Sequence, residues 1–354
     1  MPASAHSSKT DILNVIFFSA GGAAVAGKKT LKILSIDGGG IRGIIPGLVM
    51  AEIEARTGKP ISELFDLIAG TSTGGVLALG LTCPDRDNPL KPRYSAAEGV
   101  RMYEKDGGRI FSRSAWQMAR SVNGLIDERY PREPLEEVLQ EYLGETSRLR
   151  DALTDVMITS YEIERRIPWF FRSQKAKTDP NYDFELWQVA RATSAAPTFF
   201  EACRINIPDT DNYYALVDGG VFANNPTMCA YVDAITRYKD YNDYLVVSLG
   251  TGTLTQPLAY AQAKDWGMAE WVIPIINILM NGNSETVDYQ MQQVLPVKSK
   301  NHRYFRFQIR LDKDMDAMDN ATPENLRKLR LLAENLIRDQ REALTALCNT
   351  LAEA

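Results

Sequence analysis

Residues 31–43, Leu31-Lys32-Ile33-Leu34-Ser35-Ile36-Asp37-Gly38-Gly39-Gly40-Ile41-Arg42-Gly43, are echoed at residues 65–75 by Phe65-Asp66-Leu67-Ile68-Ala69-Gly70-Thr71-Ser72-Thr73-Gly74-Gly75. Each begins with a short apolar run that predicts a strand and ends in glycines that predict a tight turn. After the first, Ile45, Leu48, Val49 and Ile53 fall at helical spacing; after the second, residues 76–79 continue as a buried helix. Strand, glycine turn and helix, repeated, predict an α/β fold: a central, mostly parallel sheet between helices.

The rest of the chain fits that frame. Residues 83–95 are rich in proline and charge and read as an exposed loop. Residues 134–143 form an amphipathic helix with Pro134 in its first turn. Residues 155–161 and 169–173 read as a strand pair, residues 187–194 as a helix stopped by Pro197. Strands follow at 213–217, running into Asp218-Gly219-Gly220, and at 244–249, ending at Gly250-Thr251-Gly252. Residues 304–309 alternate, as near a sheet edge. Thr322-Pro323-Glu324 then opens a last helix, with Leu326, Leu329, Ala333, Leu336 and Ile337 as its inner stripe.

Composition narrows the function classes. With 354 residues, 45% hydrophobic and 24% charged, the chain can bury one large core. A net charge of −5, with no basic stripe interleaved with aromatics, argues against nucleic acid as a partner. Cys83, Cys203, Cys229 and Cys348 lie far apart, without metal-ligand spacing, so no metal is expected. Residues 11–27 are apolar and end in small residues. Lys9 is the only basic side chain ahead of them and Asp11 opposes it, which makes a weak export signal. The expected location is cytoplasmic, peripheral at membranes, with residues 1–29 a leader.

The chemistry centres on Gly70-x-Ser72-x-Gly74. A nucleophile elbow needs a strand, a sharp turn that presents one hydroxyl, and a following helix. Flanking glycines suit a strained turn packed against backbone. The rival reading is a helix-capping turn. Gly38-x-Gly40-x-x-Gly43 literally matches a dinucleotide fingerprint, but that reading expects an acid at the end of the second strand, where Gly70-Thr71-Ser72 stands. Paired with the elbow, the glycines read instead as an oxyanion hole with Arg42 adding a positive charge nearby. One such donor is typically worth about 3–4 kcal/mol.

A base is scarce. Of the two histidines, His6 lies in the leader and His302 beside a predicted edge strand, as a surface residue would. Asp218 ends a strand before two glycines, which fits either an Asp-Gly hairpin turn or a base within reach of Ser72. A carboxylate of ordinary pKa is a weak base, and desolvation would strengthen it.

Together these blocks resemble the patatin-like phospholipases, a family of lipid acyl hydrolases. DGGGIRG at 37–43, GTSTGG at 70–75, ARATSAAPTFF at 190–200, VDGGVFANNP at 217–226 and SLGTGT at 248–253 carry the resemblance. It covers roughly residues 30–337, as one domain to 340 with a tail at 341–354. The resemblance implies the three-layer patatin-like fold and a Ser72–Asp218 dyad on an elbow flanked by Gly70 and Gly74. It implies an oxyanion loop at Gly38, Gly39, Gly40 and Arg42. It implies hydrolysis of acyl esters in membrane or micellar lipids, without metal or cofactor. With no second base among these motifs, Asp218 is expected to serve both half-reactions. The alternative on the same scaffold is a regulated or non-catalytic lipid-binding effector.

Two segments remain. Asp312-x-Asp314-x-Asp316 begins like a calcium loop, but Ala317 and Pro323 stand where glycine and glutamate are required, so it reads as a solvated acidic loop. Residues 268–280, MAEWVIPIINILM, are apolar nearly all round and broken by Pro274. They read either as a buried segment or as a lid or lipid-contact surface.

Overall fold

A computed structural model describes residues 29–112, 130–207, 210–295, 303–312 and 315–352. Residues 1–28, read above as a leader, with His6 among them, and His302 and the middle of the acidic loop lie outside the described residues.

An eight-stranded sheet forms the centre. The strands are β1 (Thr30–Ile36), β2 (Leu67–Thr71), β3 (Asp155–Glu162), β4 (Ile167–Arg172), β5 (Cys203–Asn206), β6 (Tyr213–Asp218), β7 (Asp243–Leu249) and β8 (Tyr304–Phe307). Their order is β5-β6-β3-β2-β1-β7-β8, with β4 also on β3. β3, β2, β1, β7 and β8 run parallel, as the repeated strand–turn–helix pattern requires. β4, β5 and β6 pair antiparallel.

Successive side chains on a strand point to opposite faces, and both faces of this sheet are covered. Leu34, Ile36, Ile68 and Ile158 belong to the larger core. There they meet α1 (Ile44–Thr57), α2 (Thr73–Thr82), α3 (Ala96–Ile110), α4 (Glu133–Leu143) and α5 (Leu186–Thr193). The alternate residues Leu31, Ile33, Leu67 and Met157 face a second core with α6 (Thr227–Arg237) and α7 (Met268–Val294). α8 (Pro323–Asp339) and α9 (Arg341–Ala352) pack on α1. Residues after 340, set apart above as a tail, thus form a helix with Leu344, Leu347 and Leu351 buried.

One detail of register decides where the site falls. β4 pairs with β3 residues 157–162 along one edge. β2 pairs with 155–159 and β6 with 160–162, so these two must share the other edge. β2 runs parallel to β3 and β6 antiparallel. Their C-terminal ends therefore meet head-on, Thr71 opposite Thr159 and Asp218 opposite Ser160.

The end of β1 is fixed by a buried ion pair. Arg306 on β8 reaches both carboxylate oxygens of Asp37, at 2.9 and 2.6 Å. It also donates to Ser248 Oγ on β7 at 2.8 Å. Burial alone would push the Asp37 carboxyl upward; Arg306 opposes that. Arg306→Leu should lower stability by about 3–5 kcal/mol, because it strands a buried carboxylate. Urea unfolding checks this, and Asp37→Asn/Arg306→Leu should recover much of the loss.

Candidate active site

β2 ends at Thr71 and α2 begins at Thr73, so the whole change of direction falls on Ser72, with φ 53° and ψ −123°. A non-glycine residue held there costs about 1–3 kcal/mol. The surroundings impose it. A Cβ at Gly74 would stand 2.2 Å from the Ile36 carbonyl oxygen, and one at Gly70 2.3 Å from the Gly74 carbonyl oxygen. Only glycine lets these backbones approach so closely. The Ser72 N–H donates to Thr193 Oγ1 at 2.8 Å, and that hydroxyl donates to the Thr159 carbonyl at 2.7 Å.

Asp218 arrives from the opposing strand end. Its carboxylate accepts the Gly220 N–H at 2.7 Å and interacts with the Ser72 side chain. Gly219 has no room for a side chain: its Cβ would lie 2.1 Å from Thr159 Oγ1. Asp218 is 3% exposed and Ser72 8%. Burial pushes the Asp218 carboxyl up to about 6, while the bonds from Ser72 and Gly220 hold it down. A carboxylate in that range is ionised at neutral pH yet a far better proton acceptor than an exposed one.

The glycine loop divides its roles. The Gly38 N–H is taken by the Asn224 carbonyl at 2.9 Å, and Thr251 Oγ1 donates to the Gly38 carbonyl at 2.6 Å. The N–H groups of Ile41 and Arg42 are also taken, by the Met318 and Gly39 carbonyls. Among the described residues no acceptor meets the N–H of Gly39 or Gly40, and both glycines line the cavity that holds Ser72 and Asp218. Gly40, at φ 57°, needs to be glycine, since a Cβ there would stand 2.2 Å from the Met318 carbonyl oxygen.

Arg42 lies elsewhere than the sequence suggests. Its Nε donates to the Gly39 carbonyl at 3.2 Å, bracing the loop from behind. Burial pushes its guanidinium down to about 10. Its Nη1 has no partner among the described residues. The side chain faces a separate polar cavity of about 10 Å³, which Asn224 shares.

The cavity in front of Ser72 has a volume of about 130 Å³. Val76, Met102, Ile110, Leu135, Phe199 and Ile276 are among its walls, so apart from Ser72, Asp218 and the glycine N–H groups it is largely hydrocarbon. Residues 268–280 form no isolated buried segment: they are the first half of α7, and Ile276, Leu279 and Met280 wall the cavity. Pro274 sits in the second turn and forfeits one hydrogen bond without ending the helix. Among the described residues no group of three His, Cys, Asp or Glu could hold a metal, and no helix is long and apolar enough to cross a membrane.

The structure thus brings together Ser72, Asp218, Gly39 and Gly40, with Gly70 and Gly74 beneath them. Gly38 also lies against Ser72, where an added Cβ would stand 3.4 Å from the serine Cβ, but its N–H is already taken; Arg42 sits behind the loop. Sequence reasoning assigned no part to Thr193, Asn224 or Thr251, although each lies within a quoted motif block. Each acts through a partner far away in the chain, which local pattern does not reveal.

A family model described as patatin-like phospholipase matches residues 34–231. Patatin-like protein 1 of Oryza sativa subsp. indica is 34% identical over 346 residues, covering 89% of this chain and 83% of its own length. Patatin-like protein 4 of Arabidopsis thaliana is 31% identical over 336 residues, covering 87% and 83%. Among solved structures, VipD from Legionella pneumophila aligns with a TM-score of 0.40 at 14% identity, over 90% of this chain and 69% of that one.

The raised Asp218 carboxyl makes a stability prediction. Folding favours its protonated form, so its contribution is greatest below about pH 4 and is lost as pH rises towards 6. The shift corresponds to on the order of 3 kcal/mol at neutral pH. Asp218→Asn should therefore be more stable than the parent at pH 8 by up to about that amount. The difference should shrink steadily between pH 6 and 4, as read by urea unfolding across pH.

Proposed function

The chain belongs to the patatin-like phospholipase family of lipid acyl hydrolases, and we propose that it cleaves acyl esters of phospholipids or related glycerolipids through Ser72 and Asp218. The observation that carries this reading is the head-on meeting of β2 and β6, with a strained serine and a desolvated carboxylate lining one apolar cavity.

In the first half-reaction the acyl chain lies along the apolar walls and its ester carbonyl sits at Ser72. The hydroxyl proton passes to Asp218 as Oγ attacks. The N–H groups of Gly39 and Gly40 receive the charge developing on the carbonyl oxygen, already oriented and without other partners among the described residues. Collapse breaks the bond to the glycerol oxygen, which leaves with the proton from Asp218. An acyl ester of Ser72 remains.

In the second half-reaction Asp218 takes a proton from water as the water attacks the acyl ester. Ser72 recovers that proton and the fatty acid departs. A single carboxylate near pKa 6 can serve both steps, because each begins with it ionised and each needs it to accept and then return one proton.

Ser72→Ala and Asp218→Asn should each reduce fatty-acid release from phospholipid and from a short p-nitrophenyl ester by at least about 10³-fold. His302→Ala should leave both within a few-fold of the parent. Comparing a mixed lipid extract before and after incubation with parent and Ser72→Ala identifies the species consumed. Inactivation by His302→Ala, with Asp218→Asn active, would assign the base to the histidine instead.

A further inference from the structure

The first half of α7 carries two apolar stripes. One faces inward: Ile276 and Met280 wall the acyl cavity, and Val287 and Met291 continue it as buried residues. The other faces out. Met268 is 89% exposed, Ile275 46%, Ile278 44% and Leu279 54%. Positions 268, 271, 275 and 278 follow one another at helical spacing, so they share a face. Trp271 lies in that row, partly exposed, with its ring edge-on to Trp266 at 5.1 Å. Aromatic rings of this kind, apolar in body and polar at one edge, suit the boundary between water and lipid.

The outer stripe runs on into the cavity. Leu279 is both exposed and part of the cavity wall, and Val221, 39% exposed, is so as well. The apolar surface and the cavity are therefore one continuous lining, open outward along α7. A large exposed apolar patch at the opening of an apolar cavity marks a place where something apolar comes to rest.

Charge indicates what kind of surface it meets. Residues 254–284 contain Lys264, Asp265 and Glu270 and no other charged side chain, a net charge of −1. Binding to anionic lipid relies on a cluster of lysines and arginines beside the apolar face. Here that cluster is missing from the segment, and the apolar stripe must supply the affinity.

We infer that the outer stripe of α7 is the docking surface for a lipid bilayer of neutral headgroups, seating the opening of the Ser72 cavity against the leaflet. This rests on the lipid-hydrolase reading above, and it adds where the bilayer is met and what headgroup charge is preferred.

The full-length Ser72→Ala chain, mixed with phosphatidylcholine vesicles carrying brominated acyl chains, tests it directly. Tryptophan emission should be quenched, and Trp266→Phe/Trp271→Phe should remove the quenching. Added salt or added phosphatidylserine should not strengthen it. With Ser72 present, Met268→Gln/Ile275→Gln/Ile278→Gln should lower vesicle binding and vesicle-lipid hydrolysis by about tenfold or more. Its hydrolysis of a monomeric p-nitrophenyl ester should stay within about twofold of the parent, since these three side chains do not line the cavity.

Absence of quenching overturns the inference, whether or not the triple variant folds. Quenching only on anionic vesicles, lost in salt, overturns it too. So does a concentration-dependent dimer that shields Trp271. Quenching in a chain that hydrolyses no ester would sink the hydrolase reading and leave the docking surface standing; ester hydrolysis without quenching would do the reverse.

Discussion

The left-handed backbone at Ser72 is the constraint on which the rest of the site depends. A serine at φ 53° is unfavourable by itself, and it is held where Gly70 and Gly74 let the neighbouring backbones close in around the turn. Gly74 presses against the carbonyl of Ile36, the last residue of β1. The elbow is thereby locked to the strand that launches the glycine loop. Any movement of that loop would disturb the serine, and the reverse. The Asp37–Arg306 pair and the Thr251 hydroxyl hold the same junction from the other side.

A second dependence is topological. Ser72 and Asp218 are far apart in sequence, yet each follows or ends a strand pairing with the same edge of β3. Head-on strand ends leave a gap in the sheet where two side chains can meet without competing for backbone partners. That arrangement takes Asp218 out of water, which costs stability and raises its pKa. The same burial that destabilises the fold makes the carboxylate a useful base. With Asp218 as the proposed base, its proton-transfer capacity comes from burial.

Local features were legible in the sequence, and long-range ones were not. The two strand–glycine–helix stretches announce β1, β2, α1 and α2 because spacing and glycine chemistry are local. α3 was legible too: Ala96, Val100, Tyr103 and Ile110 fall at helical spacing, and a capping box from Ser95 to Glu98 opens the helix. β6 was readable as a strand, but nothing in residues 213–218 tells that it runs antiparallel and abuts β2. Adjacency in sequence suggested a charge at the reacting side for Arg42, whereas its side chain turns behind the loop to Gly39 and a polar cavity. For residues 268–280, apolar composition on every side was compatible with burial or lipid contact. Only the helix's placement shows that one stripe walls the cavity and the other faces outward.

The claim that Ser72 is activated by Asp218 is tested most directly by the rate at which a fluorophosphonate modifies the protein, followed across pH by intact mass and located by peptide mapping. The adduct should fall on Ser72, its rate should rise through about pH 6, and Asp218→Asn should nearly abolish it. An adduct on another residue would contradict the account, as would labelling of Ser72 that ignores pH through this range and persists in Asp218→Asn.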